Sequence, residues 1–580
     1  MLSLTALPLL LLVLLAVTAF LAGASSRALF PNPGMVASWT VRLGLLLGLV
    51  VATAILVQIQ PTGSVDVILW RIDSQLPVTL QFGVGGLVIA IVALVAALVV
   101  SFAAADRRPL VSATLGVAAL GSVLAAMSGD LLGLFIGLQL SAVGGIGISY
   151  ARSPRAASHR IVWAAVADQT VAIVWLGAVV AVYHSGGTIQ FSDIPTSSVN
   201  YVLAAVLLVP ALVRLGSVAL LMAAPGSRPG ARELDVADWL AVAAVPTALV
   251  VLLRDFQLSG GAWPSQSFGT ILDTLGLLLA LGVGLWVFLD RRPSALLGAL
   301  LLGGVALTLL GFGSDSPAGV ELGVGAALFL EALAGFLPRA LGSSAEAAAA
   351  PAGRRWGETA MRLGTMAAAS PLSLGVTAAL LGVTLGLRTG GSAGLMPTLG
   401  YAACLLLLCI LLPSFLRLRV EAGPWRHWFL AVPGGLLVAG SIAGGWVLTG
   451  LAAAIAFSGA TAPVAVTSPD PLLLQLPGIL YPQGYLALLV LLLLAAIAAL
   501  RYAAELPILP PVEIHPAVES AAAMSALVPG VDLSGVEDVG RWARRTVAMG
   551  LELSERELAE RPIWLWVTTS AAIAWLMAQR

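Results

Sequence analysis

Residues 130–150 read DLLGLFIGLQLSAVGGIGISY. An acid opens the stretch, apolar and small residues fill it, and one amide, Gln139, stands at its middle. About twenty such residues, rising 1.5 Å each, cross the ~30 Å hydrocarbon core of a bilayer, so the stretch predicts a membrane-spanning helix. Lipid offers no hydrogen bonds, so the Gln139 amide must be satisfied inside the protein. An amide also does not titrate, and what a permanently neutral group does at that depth is the question the stretch sets.

Similar runs recur along all 580 residues, of which 59% are hydrophobic and 10% charged, with a mean hydropathy of +1.00. A soluble domain carries about a quarter charged residues. The fold class expected is an all-α polytopic membrane protein. Spans are predicted near 2–23, 36–58, 77–101, 109–127, 130–149, 161–183, 200–223, 235–253, 267–289, 294–313, 318–337, 366–387, 395–416, 428–457, 482–500 and 562–578, about sixteen helices. The first run lacks a basic flank and a clear cleavage site and is read as a retained helix.

The 29 basic and 29 acidic residues cancel, which gives no footprint for nucleic acid. All 29 basic residues are arginine, and arginine does not release its proton in an apolar site as lysine can. Cys404 and Cys409 fall on different faces of one apolar run and are read as fillers. His159, His184, His427 and His515 sit at predicted ends and loops. With no ligand cluster, phosphate loop or dinucleotide fingerprint, no cofactor or metal is expected on this chain.

The arginines set the orientation. Loops after odd-numbered helices hold 23, among them Arg107, Arg108, Arg152, Arg155 and Arg160, whereas loops after even-numbered helices hold three, Arg71, Arg254 and Arg388. Positively charged loops stay in the cytoplasm, so both termini are expected on the outer side of a bacterial or archaeal cell membrane. Arg42, near the start of the second helix, is placed to snorkel to the cytoplasmic surface. The long segment 502–561 then lies inside. There Val536, Val539, Ala543, Val547 and Leu551 recur at helical spacing, while Glu537, Asp538, Arg541, Arg545 and Glu552 fall largely on other faces. That pattern predicts an amphipathic helix along the membrane surface or across neighbouring helices.

Among the ionisable residues within predicted spans three stand out: Asp168, Arg214 and Glu331. A charge there is costly, which makes each a candidate for a proton or ion path, with Gln139 as a neutral member. The other reading is an interior ion pair, Arg214 with Asp168, that fixes helix packing. Pro210, four residues before Arg214, is expected to break its helix.

Across residues 78–194 the chain resembles the antiporter-like membrane subunits of respiratory complex I and of Mrp-type antiporters. DLLGLFIGLQ stands where the family typically shows NLLLLFVGWE, and Ala167-Asp168 where it shows Gly-Asp. Gly187, Thr188, Phe191, Asp193 and Ile194 match its next segment. The family's Lys-Ser-Ala-Gln, with a Pro eleven residues after the Lys, aligns with Arg214 and Pro225. Its DLKRLLAYST is similar to Asp290-Arg291-Arg292, and its HAFFKALLFL aligns with ALFLEALAGF, placing Glu331 at the lysine and Ala327 at the histidine.

The resemblance implies two inverted repeats with broken helices, at Pro210 and Pro371 here, and a lateral helix of the kind found on the L-type subunit. It divides the chain into helices 1–3 (1–108), a first repeat (109–260), a second repeat (261–420), further helices (421–501), the lateral segment (502–561) and a last span (562–580). Its partners would be antiporter-like neighbours in a multi-subunit complex, with membrane lipid around them. In the family an acid and a lysine load a proton; here Gln139 replaces the glutamate, Arg214 the lysine, and Glu331 reverses the central charge. The expectation is a subunit of a proton-translocating, complex I-like assembly (the NADH-quinone oxidoreductase type) whose lysine-based channel is degenerate. The alternative is an active H⁺ or Na⁺/H⁺ transporting subunit working through Glu331, either Mrp-like or partnered with a carbon-dioxide-hydrating subunit.

Overall fold

The computed structural model of the chain describes residues 6–25, 32–59, 65–73, 76–103, 108–152, 158–222, 240–289, 293–342, 374–389 and 391–417. The predicted spans after residue 417, the surface helix within 502–561, and Pro371 lie outside the described residues.

Thirteen α-helices follow one another among the described residues. They are α1 (Ala6–Ala24), α2 (Pro33–Gln58), α3 (Val84–Ala103), α4 (Pro109–Ala126), α5 (Leu131–Arg152), α6 (Ser158–Gly186) and α7 (Tyr201–Met222). The series continues with α8 (Val245–Leu258), α9 (Gln266–Leu289), α10 (Pro293–Gly313), α11 (Pro317–Gly342), α12 (Leu374–Thr389) and α13 (Gly391–Arg417). Eight stretches are long and apolar enough to cross a membrane, and shorter apolar helices cover Tyr201–Gly216, Ala299–Gly313 and Gly394–Leu408. On α1 and α2, Val13, Phe20, Leu43 and Val50 are more than half exposed, which is the surface a lipid-facing helix offers.

The bundle is not wholly helical. Val65–Asp73 (β1) pairs antiparallel with Leu76–Phe82 (β2), Val65 opposite Phe82 and Val67 opposite Leu80. A helix was expected from 77, yet residues 76–82 form a strand and the helix begins at Val84. The two ran together in the sequence because Thr79 and Gln81 are buried along with Val78, Leu80 and Phe82. A strand buried on both faces has the same unbroken apolar signature as a buried helix.

β2 grips the turn between α4 and α5. Gln81 donates its backbone N–H to Met127 (2.9 Å), Gly129 donates to Thr79 (2.9 Å), and Phe191 donates to Gly129 from the far side (3.0 Å). Asp130 joins these pieces. One carboxylate oxygen accepts the N–H of Gly133, capping the first turn of α5, while the other accepts the N–H of Thr79 in β2. The acid that opens the 130–150 stretch is therefore both a helix cap and a staple to the hairpin.

Below that turn α4 and α5 touch backbone to backbone. A Cβ on Gly121 would lie 2.1 Å from the Ser141 nitrogen, and one on Gly144 2.2 Å from that of Ala118, so only glycine permits this approach. The approach sets Leu138 and Ser141 at a fixed depth.

The backbone irregularity differs from the one expected. Pro210 was expected to break its helix, but α7 runs unbroken through it from Tyr201 to Met222. The Trp175 indole donates to the Leu207 carbonyl (3.1 Å), a turn before the proline. A proline inside a membrane helix is tolerated when neighbouring side chains bond the backbone groups around it. The departure comes instead in the next helix, where Leu240–Ala244 form a π-turn leading into α8. Pro246 has no N–H for the carbonyl of Val242, and Ser122 of α4 donates to that carbonyl instead (2.6 Å).

Burial raises the Asp130 pKa above its ordinary value, opposed by the N–H bonds from Gly133 and Thr79. The native state therefore holds this proton at pH values where the unfolded chain has released it. The group's contribution to stability is greatest at low pH and falls as pH rises through the raised native value. Asp130→Asn, which keeps a cap acceptor without the charge, is expected to flatten that part of the pH–stability profile, while Asp130→Ala costs about 1 kcal/mol. Thermal unfolding in detergent across a pH series measures both.

Candidate functional site

Four elements converge on Arg214. It projects from α7 and is only 3% exposed; Asp168 of α6 is 5% exposed. Arg214 Nε donates to Asp168 Oδ1 (3.0 Å) and Nη2 to Oδ2 (3.2 Å), a two-pronged ion pair. Nη2 also donates to the Leu138 carbonyl of α5 (2.8 Å). Nη1 donates to the hydroxyls of Ser141 on α5 (3.1 Å) and Thr247 on α8. A guanidinium has five N–H donors, and all five are spent.

The acceptors are themselves held. Ser141 donates to Leu138 (2.8 Å), and Thr247 donates to Ala243 in the π-turn. Chemically the result is a static pair: every guanidinium donor is bonded, and the partner carboxylate has both oxygens engaged.

Gln139 is not part of this cluster. Its side-chain oxygen accepts a bond from the amide of Gln169 (2.8 Å), the residue after Asp168. Amide meets amide between α5 and α6, beside Leu138 on the one helix and Asp168 on the other, without adding charge to the cluster. Flanking both, Phe135 and Trp175 stack with ring centres 6.1 Å apart.

Of the four sequence candidates, then, Asp168 and Arg214 pair directly and Gln139 lies beside them. Glu331 on α11 stands apart: it is 4% exposed, and neither carboxylate oxygen has a hydrogen-bond partner among the described residues. Sequence reasoning missed Ser141 and Thr247, because hydroxyl residues in membrane helices ordinarily bond their own backbone and carry no signal of a charge nearby.

It also misplaced Arg254, counted as a loop residue. Arg254 lies inside α8, 9% exposed, donating to Gln81 (3.0 Å), Gln257 (3.2 Å) and the Ser128 carbonyl (3.0 Å). The Phe191 ring covers it at 4.7 Å. The hairpin supplies the acceptor that lets the arginine stay buried. Arg42, by contrast, donates to the Ser101 carbonyl near the end of α3 and stacks on Trp39 and Phe102.

No protein-family model and no curated protein matches this sequence. Solved structures do. A chain of the Mrp complex from Dietzia sp. shares the fold over 99% of this chain and 63% of its own length, with a TM-score of 0.67 and 16% identity. A chain of the membrane-bound sulfane sulfur reductase, an archaeal respiratory membrane complex, matches over 77% of this chain and 96% of its own, with a TM-score of 0.59 and 16% identity. A chain of respiratory complex I from Thermus thermophilus matches over 76% and 99%, with a TM-score of 0.54 and 18% identity. The chain thus spans about 63% of the length of the Mrp chain. The resemblance drawn from the sequence motifs holds at the level of fold.

Breaking a buried ion pair by removing one partner leaves the other charged and unpaired, at a cost of roughly 3–5 kcal/mol. Asp168→Asn and Arg214→Gln are each expected to lower the thermal stability of the detergent-solubilised chain strongly. The double variant is expected to lose less than the two single losses combined. Thermal unfolding of all four forms gives the coupling directly.

Proposed function

We propose that this chain is an integral membrane subunit of a multi-subunit ion-translocating complex of the complex I and Mrp kind. In this reading its own lysine-type switch has become structural. The observation that carries it is the complete saturation of Arg214: five donors bonded, the Asp168 carboxylate held at two points, and no group in the cluster free to pass a proton. The Gln139–Gln169 bond supports the same reading, since the neutral amide occupies the position of the family's titrating acid. Antiporter-like neighbours in the complex and the surrounding lipid are its partners, and any redox chemistry belongs to other subunits. The cytoplasmic arginine loops argue for a cell-membrane location with both termini outside.

One observation favours the alternative, an actively transporting subunit: both oxygens of Glu331 are buried without a partner among the described residues. A carboxyl in that condition is available to carry a proton. The two readings part in one experiment. The complex is purified with whatever accompanies this chain, reconstituted in liposomes and assayed for H⁺ and Na⁺ flux with wild-type, Glu331→Gln and Arg214→Lys forms. The structural reading expects Glu331→Gln to leave flux close to wild type and Arg214→Lys to lower stability without creating new flux. Loss of most flux in Glu331→Gln alone sinks that reading and establishes the transporting one.

A further inference from the structure

Three buried carboxyls outside the Asp168–Arg214 pair have oxygens without hydrogen-bond partners among the described residues: Asp255, Asp273 and Glu331. The surroundings of Asp273 are the most fully defined. It sits on α9, 4% exposed, pressed onto Gly313, the last residue of α10. A Cβ on Gly313 would lie 2.4 Å from Asp273 Oδ1, so the absence of a side chain there makes room for the carboxyl. The final turn of a helix presents unpaired carbonyls and a partial negative charge, an unfavourable neighbour for a bare carboxylate.

A second orphaned group points to the same place. Tyr401 of α13 is 1% exposed, and its hydroxyl has no hydrogen-bond partner among the described residues. Its ring is held against Gly382 of α12, where an added Cβ would come within 2.4 Å. Gly276 of α9 and Gly400 of α13 both close on the Leu310 side chain, where an added Cβ would crowd it, so Asp273, Ser314 and Tyr401 lie around the same end of α10. Ser314 spends its proton on the Leu310 carbonyl (2.9 Å) and stops short of hydrogen-bond geometry with the tyrosine.

Among the described residues no arginine is bonded to these oxygens. Asp273 is the only charged residue of α9, and α10 has none. On α13 the neighbours are Tyr401 and Cys404, with Arg417 at the far end of the helix. α11 brings Glu321 and Glu331 and carries Arg339 in its last turn, while α12 carries Arg388 in its last turn. Asp315, just past α10, accepts the backbone N–H of Trp263. No group of three acids, histidines or cysteines able to hold a metal occurs among the described residues, which speaks against a multiply charged ion.

We infer that Asp273, Tyr401 and Ser314 form a binding site for a hard monovalent cation, H⁺ or Na⁺, between α9, the end of α10 and α13. Asp273 supplies the charge, and the two hydroxyls supply neutral oxygens of the kind hard cations prefer. The site is separate from the Arg214 cluster and independent of which complex the chain belongs to.

Dicyclohexylcarbodiimide, which attacks a protonated carboxyl in apolar surroundings, tests this on the full chain in its native membrane. Peptide mass spectrometry reads the adduct on Asp273, and Asp273→Asn serves as the blank. The expected result is labelling at acidic pH that falls several-fold when the cation exchanges. Loss on adding sodium chloride, but not choline chloride, at fixed pH identifies Na⁺; loss only on raising pH identifies H⁺. Tyr401→Phe, which keeps the ring on Gly382, is expected to shift the protecting Na⁺ concentration or pH. No adduct on Asp273 under any condition, or an adduct indifferent to both sodium and pH, overturns the site.

Discussion

The rest of this bundle is arranged around a guanidinium that is only 3% exposed. An arginine in that position must find five acceptors and a counter-charge within the protein, and Arg214 draws them from α5, α6 and α8. Each acceptor constrains a helix. Leu138 and Ser141 require α5 to lie against α4 at glycine-limited distance. Thr247 requires α8 to begin with the π-turn that Pro246 and Ser122 stabilise. Asp168 fixes the rotation of α6, and with it the meeting of Gln169 and Gln139. A site made this way is rigid, since movement of any one helix exposes an unpaired donor.

The hairpin end is built on the same logic at smaller scale. Gln81, Gln257 and the Ser128 carbonyl accept from the buried Arg254, and Asp66 of β1 lies close enough to attract it. Asp130 ties β2 to the first turn of α5. Through these two residues the strand pair, the α4–α5 turn and the end of α8 form one hydrogen-bonded cap over the bundle.

Between the two halves of the described chain the polar groups are unevenly distributed. Around Arg214 acceptors match donors and the charges are held in place, although Asp255 of α8 is buried without a partner among the described residues. Around α9 to α13, acids are buried with few bonds and no arginine attached to them. A saturated network resists change of charge, whereas orphaned oxygens invite a proton or cation.

The sequence alone determined the membrane class, the thirteen described helices to within about five residues apart from the first turns of α3, and the presence of Asp168, Arg214 and Glu331 within them; the predicted first residues of α8 and α12 lie outside the described residues. Hydropathy and helix length are local properties, and a charge in an apolar run stands out without any knowledge of the fold. The motifs also led to a fold shared with chains of the Mrp complex and of respiratory complex I. What each polar group bonds to was decided only by the tertiary structure. Thr247 and Ser141 read as ordinary hydroxyls, Arg254 as a loop charge, and residues 76–82 as the start of a helix. Pro210 signalled a break that the backbone, with Trp175 bonded nearby, does not make. Partners that lie dozens to more than a hundred residues apart leave no local pattern, and for a buried polar group the partner decides whether it is a fixed strut or a site.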